Sequence, residues 1–283
     1  MNILVTGGAG FIGTNLIARL LKENNSVCSL DNYSTGCKQN ELASCEYING
    51  DVLDINLLYL KDYDFDAVFH LAAKARIQPS FEDPDSYIST NFNGTYEVVK
   101  YCANKKIPLI YAGSSSKHNG KFKNPYTFSK DLGEDIISLY QMHYNLNATI
   151  ARFYNVYGQF QLLNGGYTTL IGRWINNINN NIRCEIYGDG EQRRDFTHVD
   201  DIVDALILIL EKKKFNYDFE LGRGKNVSVN EVATMFNISP IYLDSKPGEA
   251  RDTLNIDKSA YYELGWNPSR ELEDYIKNEL CKR

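Results

Sequence analysis

From residue 2 to residue 153, short runs of β-branched and other apolar residues alternate with stretches where apolar side chains recur every three or four positions. The runs Asn2–Thr6, Ser26–Asp31, Glu46–Asn49, Ala67–Ala72, Leu109–Gly113 and Ala148–Phe153 predict strands, because buried strands read as continuous apolar segments bounded by turn residues. The stretches Asp85–Asn104 and Tyr126–Asn145 predict long helices, with Leu132, Ile136 and Leu139 spaced to share one apolar face. Strands and helices in alternation imply a parallel sheet covered on both faces. The expected fold class is therefore α/β, with a doubly wound, Rossmann-type sheet.

After Gly158 the alternation stops. A Gly/Asn loop (Asn164–Gly166), a helix near Thr169–Asn180 and a turn at Tyr187–Gly190 follow, and the Asn-rich tract Asn176–Asn181 reads as a solvated helix end. The run Asp200–Lys212 is apolar enough to be a helix returning to the sheet, with Tyr217–Leu221 as a last strand. Residues 1–157 thus form the Rossmann unit, 195–222 return to it, and 158–194 with 223–283 make a smaller, interleaved C-terminal lobe. A chain of 283 residues suits one large or two modest domains.

Composition narrows the function. With 30 Lys and Arg against 36 Asp and Glu, the net charge of −6 argues against a nucleic-acid coat, which needs a basic face. The six cysteines are scattered with no Cys-x-x-Cys or Cys/His cluster, so free thiols are expected and no metal site. The N-terminus lacks a signal-peptide pattern and no run of about 18 apolar residues occurs, which predicts a soluble, cytoplasmic protein with no membrane partner.

The chemistry begins at Gly7 and the spacing Gly8-Ala-Gly10-Phe-Ile-Gly13, between the first strand and the first helix. Glycines there let a pyrophosphate approach a helix N-terminus, whose free N–H groups favour anions. Asp31, eighteen residues past Gly13 at the end of the second strand, adds a carboxylate that accepts both ribose hydroxyls of NAD and repels the 2′-phosphate of NADP. Tyr126 and Lys130 lie four apart at the start of a predicted helix and share a face. A phenol of pKa near 10 becomes a base at neutral pH only when roughly 4 kcal/mol of preferential stabilisation of the phenolate lowers it by about 3 units, which an adjacent ammonium and a positive nicotinamide ring supply together. Ser114, Ser115 and Ser116 end the fifth strand, at the sheet edge where such folds bind ligands.

These residues resemble the extended short-chain dehydrogenase/reductases, specifically the NAD-dependent nucleotide-sugar epimerases and dehydratases. Eight segments in order carry the resemblance: Thr6–Gly13, Leu30–Gly36, Gly50–Asp54, His70–Ala73, Asn91–Thr95, Pro125–Lys130, Arg152–Gly158 and Ile186–Asp201. The resemblance implies NAD as cofactor, held by Gly7, Gly10, Phe11, Ile12, Gly13, Asp31, Asn32, Leu71, Ala72, Ala73 and Asn91, with Asp51 and Val52 on the adenine and Lys130 also on the nicotinamide ribose. It implies Tyr126 as the base, Lys130 as its partner and Ser114 as the hydroxyl on the sugar oxygen. Alignment from the following glycine gives Ser115 in place of Ser114; the strand end, as the more rigid reference, favours Ser114. For the substrate it implies Ser115 near the sugar, Asn155 at the diphosphate, Tyr187 stacked on the base, Arg194 and Arg251 neutralising the diphosphate, Lys246 where an arginine is usual, and Glu249 on the nucleotide ribose. A homodimer through the two long helices is implied as well.

In this family Tyr126 would take the C4 hydroxyl proton as the C4 hydride passes to NAD, giving a 4-keto sugar. Dehydratases and decarboxylases place carboxylates directly after the catalytic hydroxyl, where this chain has Ser115 and Ser116. Return of hydride to the opposite face then gives the C4 epimer, so the expected activity is a nucleotide-sugar 4-epimerase acting on a UDP-hexose or UDP-N-acetylhexosamine. The alternatives are a 4,6-dehydratase or keto-sugar reductase of the same family, and a non-catalytic NAD-binding protein. Two features depart from the pattern: only twelve positions separate Ser114 from Tyr126, a shortened loop, and Lys117-His118-Asn119 replaces the familiar Val-Tyr. His118 reads as a surface-loop histidine, and the small Thr253 stands where room for a 2-N-acetyl group is set.

Overall fold

In β1 (Asn2–Thr6), Ile3 and Val5 point to one side of the sheet and Leu4 to the other, and all three are fully buried. Burial on both faces is what a continuous apolar strand needs, and helices supply it. The computed structural model describes residues 1–57, 60 and 63–282. After β1 come α1 (Phe11–Lys22), β2 (Ser26–Asp31), β3 (Glu46–Asn49), β4 (Ala67–His70), α2 (Ile77–Glu82), α3 (Pro84–Ile88), α4 (Thr95–Lys105), β5 (Leu109–Ser114), α5 (Pro125–Tyr144) and β6 (Ala148–Phe153). The remainder contains β7 (Val156–Tyr157), α6 (Leu170–Asn179), β8 (Glu185–Tyr187), β9 (Arg193–Asp195), β10 (Thr197–His198), α7 (Val199–Glu211), β11 (Asp218–Leu221), β12 (Asn226–Ser228), α8 (Val229–Met235), β13 (Ile241–Leu243), α9 (Ser259–Leu264) and α10 (Leu272–Cys281).

Seven parallel strands form the central sheet in the order β11-β6-β5-β4-β1-β2-β3. The winding reverses between β1 and β4, so a crevice opens at the carboxyl ends of the strands there. Leu16, Ile17 and Leu20 of α1 pack with Ile202, Leu206 and Ile209 of α7 on one face of the sheet. Val98, Val99 and Cys102 of α4 and Ile137 of α5 cover the other. The chain returns to the sheet through α7 and β11, which pairs with β6 from Asp218↔Ile150 to Leu221↔Phe153. A third cluster, around Trp174, Ile186, Val232, Phe236 and Ile276, holds the later elements together. Among the described residues, no helix is long and apolar enough to cross a membrane.

Three elements differ from the expectation by more than a residue. The stretch Asp85–Asn104 is not one helix: α3 and α4 flank a wide π-helical turn over Ser89–Gly94. In that turn Asn91 reaches the backbone of Lys74, with its Oδ1 accepting from Lys74 N at 2.8 Å and its Nδ2 donating to Lys74 O at 2.9 Å. β4 ends at His70 and not at Ala72, because the Ala72 N–H leaves the ladder for the Thr6 hydroxyl, 3.3 Å away. On α5 the side facing inward is Lys130, Asp131, Glu134 and Ile137; Leu132 and Ile136 are half-buried, Ile136 against the core, and Leu139 is exposed, so the predicted apolar stripe faces the sheet only in part.

Candidate active site

The crevice is lined first by the glycine turn. Gly7 has φ +73, and a Cβ there would sit 2.7 Å from the Ala72 nitrogen, while a Cβ on Gly13 would overlap the Gly7 carbonyl. Neither position admits a side chain. α1 begins at Phe11 with no side chain capping its first turn and no acidic residue in it, so its N–H groups face the crevice free for an anion. At the end of β2, Asp31 is buried; its Oδ2 accepts from Ala9 N at 2.9 Å and its Oδ1 from Tyr33 N at 2.8 Å. Burial pushes its carboxyl above the ordinary range in spite of those two bonds. Asn32, Val52 and the Leu71–Ala73 backbone continue the same wall. A glycine cradle that a Cβ would fill, free helix N–H groups and a carboxylate one strand away fit the pyrophosphate and ribose of NAD.

At the other end, Asn124 caps α5 by accepting from Thr127 N at 2.8 Å, and Pro125 opens the helix, which fixes Tyr126 in the first turn. One turn on, Lys130 is buried with its Nζ 4.0 Å from the centre of the Tyr111 ring. Burial brings its ammonium down to about 7, against the pull of Glu134. Burial also holds the Tyr126 phenol above its ordinary range, opposed by a hydrogen bond with the Ser114 side chain and by the Arg76 cation. Ser114 Oγ also accepts from Ser116 N at 3.2 Å and shares a 2.9 Å hydrogen bond with Ser116 Oγ. Of the two serines, it is Ser114, at the end of β5, that favours the Tyr126 phenolate; Ser115 lines the same cleft.

Asn155, Arg194 and Glu249 also line this cleft. Asn155 Nδ2 donates to Asp195 O at 3.1 Å and Thr253 Oγ1 at 3.0 Å. Glu249 is shared: Gln78 Nε2 donates to Oε1 at 3.2 Å and Arg194 Nη2 approaches Oε2 at 3.5 Å.

Five expected site residues do not line the cleft. Asn91 is fully buried and spent on Lys74 and on the Ser129 hydroxyl, 3.0 Å away, so it shapes the wall from behind. Asp51 accepts from Asn32 Nδ2 at 2.7 Å and from Leu53 N at 3.0 Å, capping a short 3-10 turn. Arg251 is exposed and held bidentate by Asp189, at 2.7 and 2.9 Å, so it does not stand with Arg194 as expected. Lys246 covers the Tyr187 ring at 3.5 Å, which pairs these two with each other outside the cleft lining. Conversely, the cleft is lined by Arg76, Tyr167 and Thr169, which the sequence did not single out. The departures in the shortened loop acquire partners: Lys117 Nζ lies 2.7 Å from Glu134 and 3.1 Å from Asp131, and His118 Nε2 lies 3.0 Å from Glu220.

Residues 3–222 match the family model of the NAD dependent epimerase/dehydratase family. The chain belongs to this family. It is an enzyme of the nucleotide-sugar epimerase type, with NAD as its cofactor. A putative UDP-glucose 4-epimerase of Methanocaldococcus jannaschii is 34% identical, over 97% of this chain and 96% of its own length. A UDP-glucuronate 4-epimerase of Thermodesulfobacterium geofontis is 33% identical, over 98% of this chain and 94% of its own. Among solved structures, the UDP-glucose 4-epimerase of Thermotoga maritima with UDP-glucose superposes with a TM-score of 0.94 at 27% identity, covering 100% of this chain and 99% of that one.

Proposed function

We propose that this family member interconverts C4 epimers of a UDP-linked hexose or N-acetylhexosamine through a transient 4-keto sugar. The observation that carries the reading is the meeting of Ser114, Tyr126 and Lys130 in one cleft with the glycine cradle, while the positions after Ser114 hold only the hydroxyls of Ser115 and Ser116. Tyr126 takes the C4 hydroxyl proton, Ser114 holds the C4 oxygen, and Lys130 stabilises the phenolate. Bound NAD supplies hydride acceptance and return at C4. The carboxylates that line the cleft are Asp31, at the ribose end of the cradle, and Glu249, whose oxygens face Gln78 and Arg194. Asp31 is held by the Ala9 and Tyr33 amides and Glu249 by Gln78 and Arg194, and this supports epimerisation over elimination.

Residues 1–157 and 195–222 form the NAD-binding domain, and the rest of the chain the substrate lobe, where Arg194 meets the diphosphate and Glu249 reaches the nucleotide ribose; Asn155, at the edge of the NAD-binding domain, orients the diphosphate. The names of the relatives support a UDP-linked substrate, and the small Thr253 at the cleft supports room for a 2-N-acetyl group. Exposed Leu139, Met142 and Phe122 on and beside α5 suit a cytoplasmic homodimer packed through α4 and α5.

The test is incubation of the purified protein with UDP-glucose, UDP-galactose, UDP-N-acetylglucosamine and UDP-glucuronate, without added reductant, read by NMR. A C4 epimer that disappears in Tyr126→Phe is the expected result. A 4-keto-6-deoxy product, or no turnover of any of the four, refutes the reading.

A further inference from the structure

Arg76 immediately precedes α2 with φ +95 and ψ +139, a backbone conformation that side-chain-bearing residues rarely adopt. The turn brings its side chain to the cleft lining, together with Tyr126 and Ser114. Its Nε donates to the Tyr167 carbonyl at 3.0 Å, and among the described residues its guanidinium forms no ion pair. A strained backbone that delivers an unpaired cation to a cleft needs an anion to justify it. The neighbouring packing ties this turn to Tyr126. Tyr87 is fully buried, donates its hydroxyl to the Ala75 carbonyl at 3.0 Å, and sets its ring edge-on to Tyr126 with centroids 6.3 Å apart. One side chain therefore holds both the residue before Arg76 and the ring of Tyr126.

We propose that Arg76 is a positioning residue that acts through Tyr126, as a second cation that favours its phenolate and so its service as the base. The proposal rests on the reading of Tyr126 as the base given above. The groups around Tyr126 are Ser114 and Tyr111 on β5, Tyr87 on α3 and Arg76, with Lys130 one turn on along the same helix; Arg173 and Glu249 bear on the charge of Arg76. Of the two cations, Lys130 is brought down by burial to about 7, into the neutral range. A guanidinium stays charged there even when burial opposes it, and its field on the phenol does not titrate away.

The experiment compares NAD-loaded wild type, Arg76→Gln, Arg76→Lys and Tyr126→Phe. One readout is the pH profile of kcat/KM on the UDP-sugar that is turned over. The other is the ultraviolet titration of the Tyr126 phenolate, isolated by subtracting Tyr126→Phe, which needs no turnover. Arg76→Gln is expected to move the acid limb and the phenolate transition up together by about one pH unit, with activity below the limb falling about tenfold. Arg76→Lys is expected to restore both. An unmoved phenolate transition in Arg76→Gln, whether activity falls equally at every pH or only KM rises, overturns the proposal and leaves Arg76 as a clamp on the Tyr167 loop or a substrate contact. Retained activity in Tyr126→Phe would instead sink the base assignment, while the phenolate titration still reads the effect of Arg76.

Discussion

Glu134→Gln tests whether the charges behind the catalytic helix are as dry as the geometry implies. Glu134 is almost fully buried, as is the Arg152 side chain opposite it. Arg152 donates to it from Nε at 2.9 and 3.1 Å and from Nη2 at 2.8 Å, and Lys117 adds a contact at 2.7 Å. Arg152 is further held by Glu220 at 2.9 Å and Asp218 at 2.7 Å, so its charge stays shared when Glu134 is neutralised. An exposed pair would be worth less than about 1 kcal/mol. Removing one partner of a buried, bidentate pair costs about 3–5 kcal/mol when the other charge is left alone, and with Glu220 and Asp218 still on Arg152 the lower end, about 3 kcal/mol, is expected. With a urea slope of about 3 kcal/mol/M, the unfolding midpoint should fall by about 1 M or more. The assay is urea unfolding of wild type, Glu134→Gln, Arg152→Met and the double variant, followed by circular dichroism. The coupling in that cycle should be large, since the two side chains touch. A loss below about 1 kcal/mol, or additive single losses, would refute the claim that the pair is dry.

Three further outcomes follow from named contacts. Gly13→Ala should fold yet fail to retain NAD, because the new methyl overlaps the Gly7 carbonyl in the cradle; undiminished NAD in the purified variant would contradict the fit. Arg194→Ala should raise KM for the nucleotide sugar many-fold, and Arg251→Ala, whose charge is committed to Asp189 at the surface, should change it little; steady-state kinetics on both variants decides between them. His70 lies between Thr6 Oγ1 at 2.7 Å and Thr95 Oγ1 at 3.0 Å, and burial takes its pKa down to about 3. The unfolded chain, titrating near 6.5, then binds the extra proton first, so stability present above pH 6.5 is lost progressively as pH falls toward 3, by a few kcal/mol in all. Denaturation midpoints of wild type should decline over that window more steeply than those of His70→Gln.

How much of this was legible depended on whether a residue's partners were local. The strands of the sheet are continuous apolar runs with turn residues at their ends, and four of the first six have the expected bounds to the residue. Tyr126 and Lys130 are related by helical spacing alone, so their shared face could be read off the chain. The break at Ser89–Gly94 could not, because it is made by the reach of Asn91 to Lys74, seventeen positions back, which no periodicity encodes. Arg251 was legible as a cation, but not its commitment to an aspartate 62 residues earlier. Arg76 carries no signal at all, since its importance lies in a positive φ that a non-glycine residue does not announce.

The shortened loop is where the departure from the family pattern and the physical solution meet. Ser114 and Tyr126 must be held in register across only twelve positions, on two different elements, with less chain to cover them. The residues that break the pattern provide the anchorage. Lys117 ties the 3-10 turn after Ser114 to Asp131 and Glu134 of α5, and His118 ties it to Glu220 of β11, while Glu134 in turn holds Arg152 of β6. Strand end, catalytic helix and two neighbouring strands are thus linked through one set of charges lying next to Lys130. A longer loop could fix the serine by packing; here the turn is tied by the His118 contact and by ion pairs, of which the two on Glu134 are sealed from water on the carboxylate side. Lys117, which touches neither hydroxyl, thereby ties the turn after Ser114 to α5, the helix that carries Tyr126.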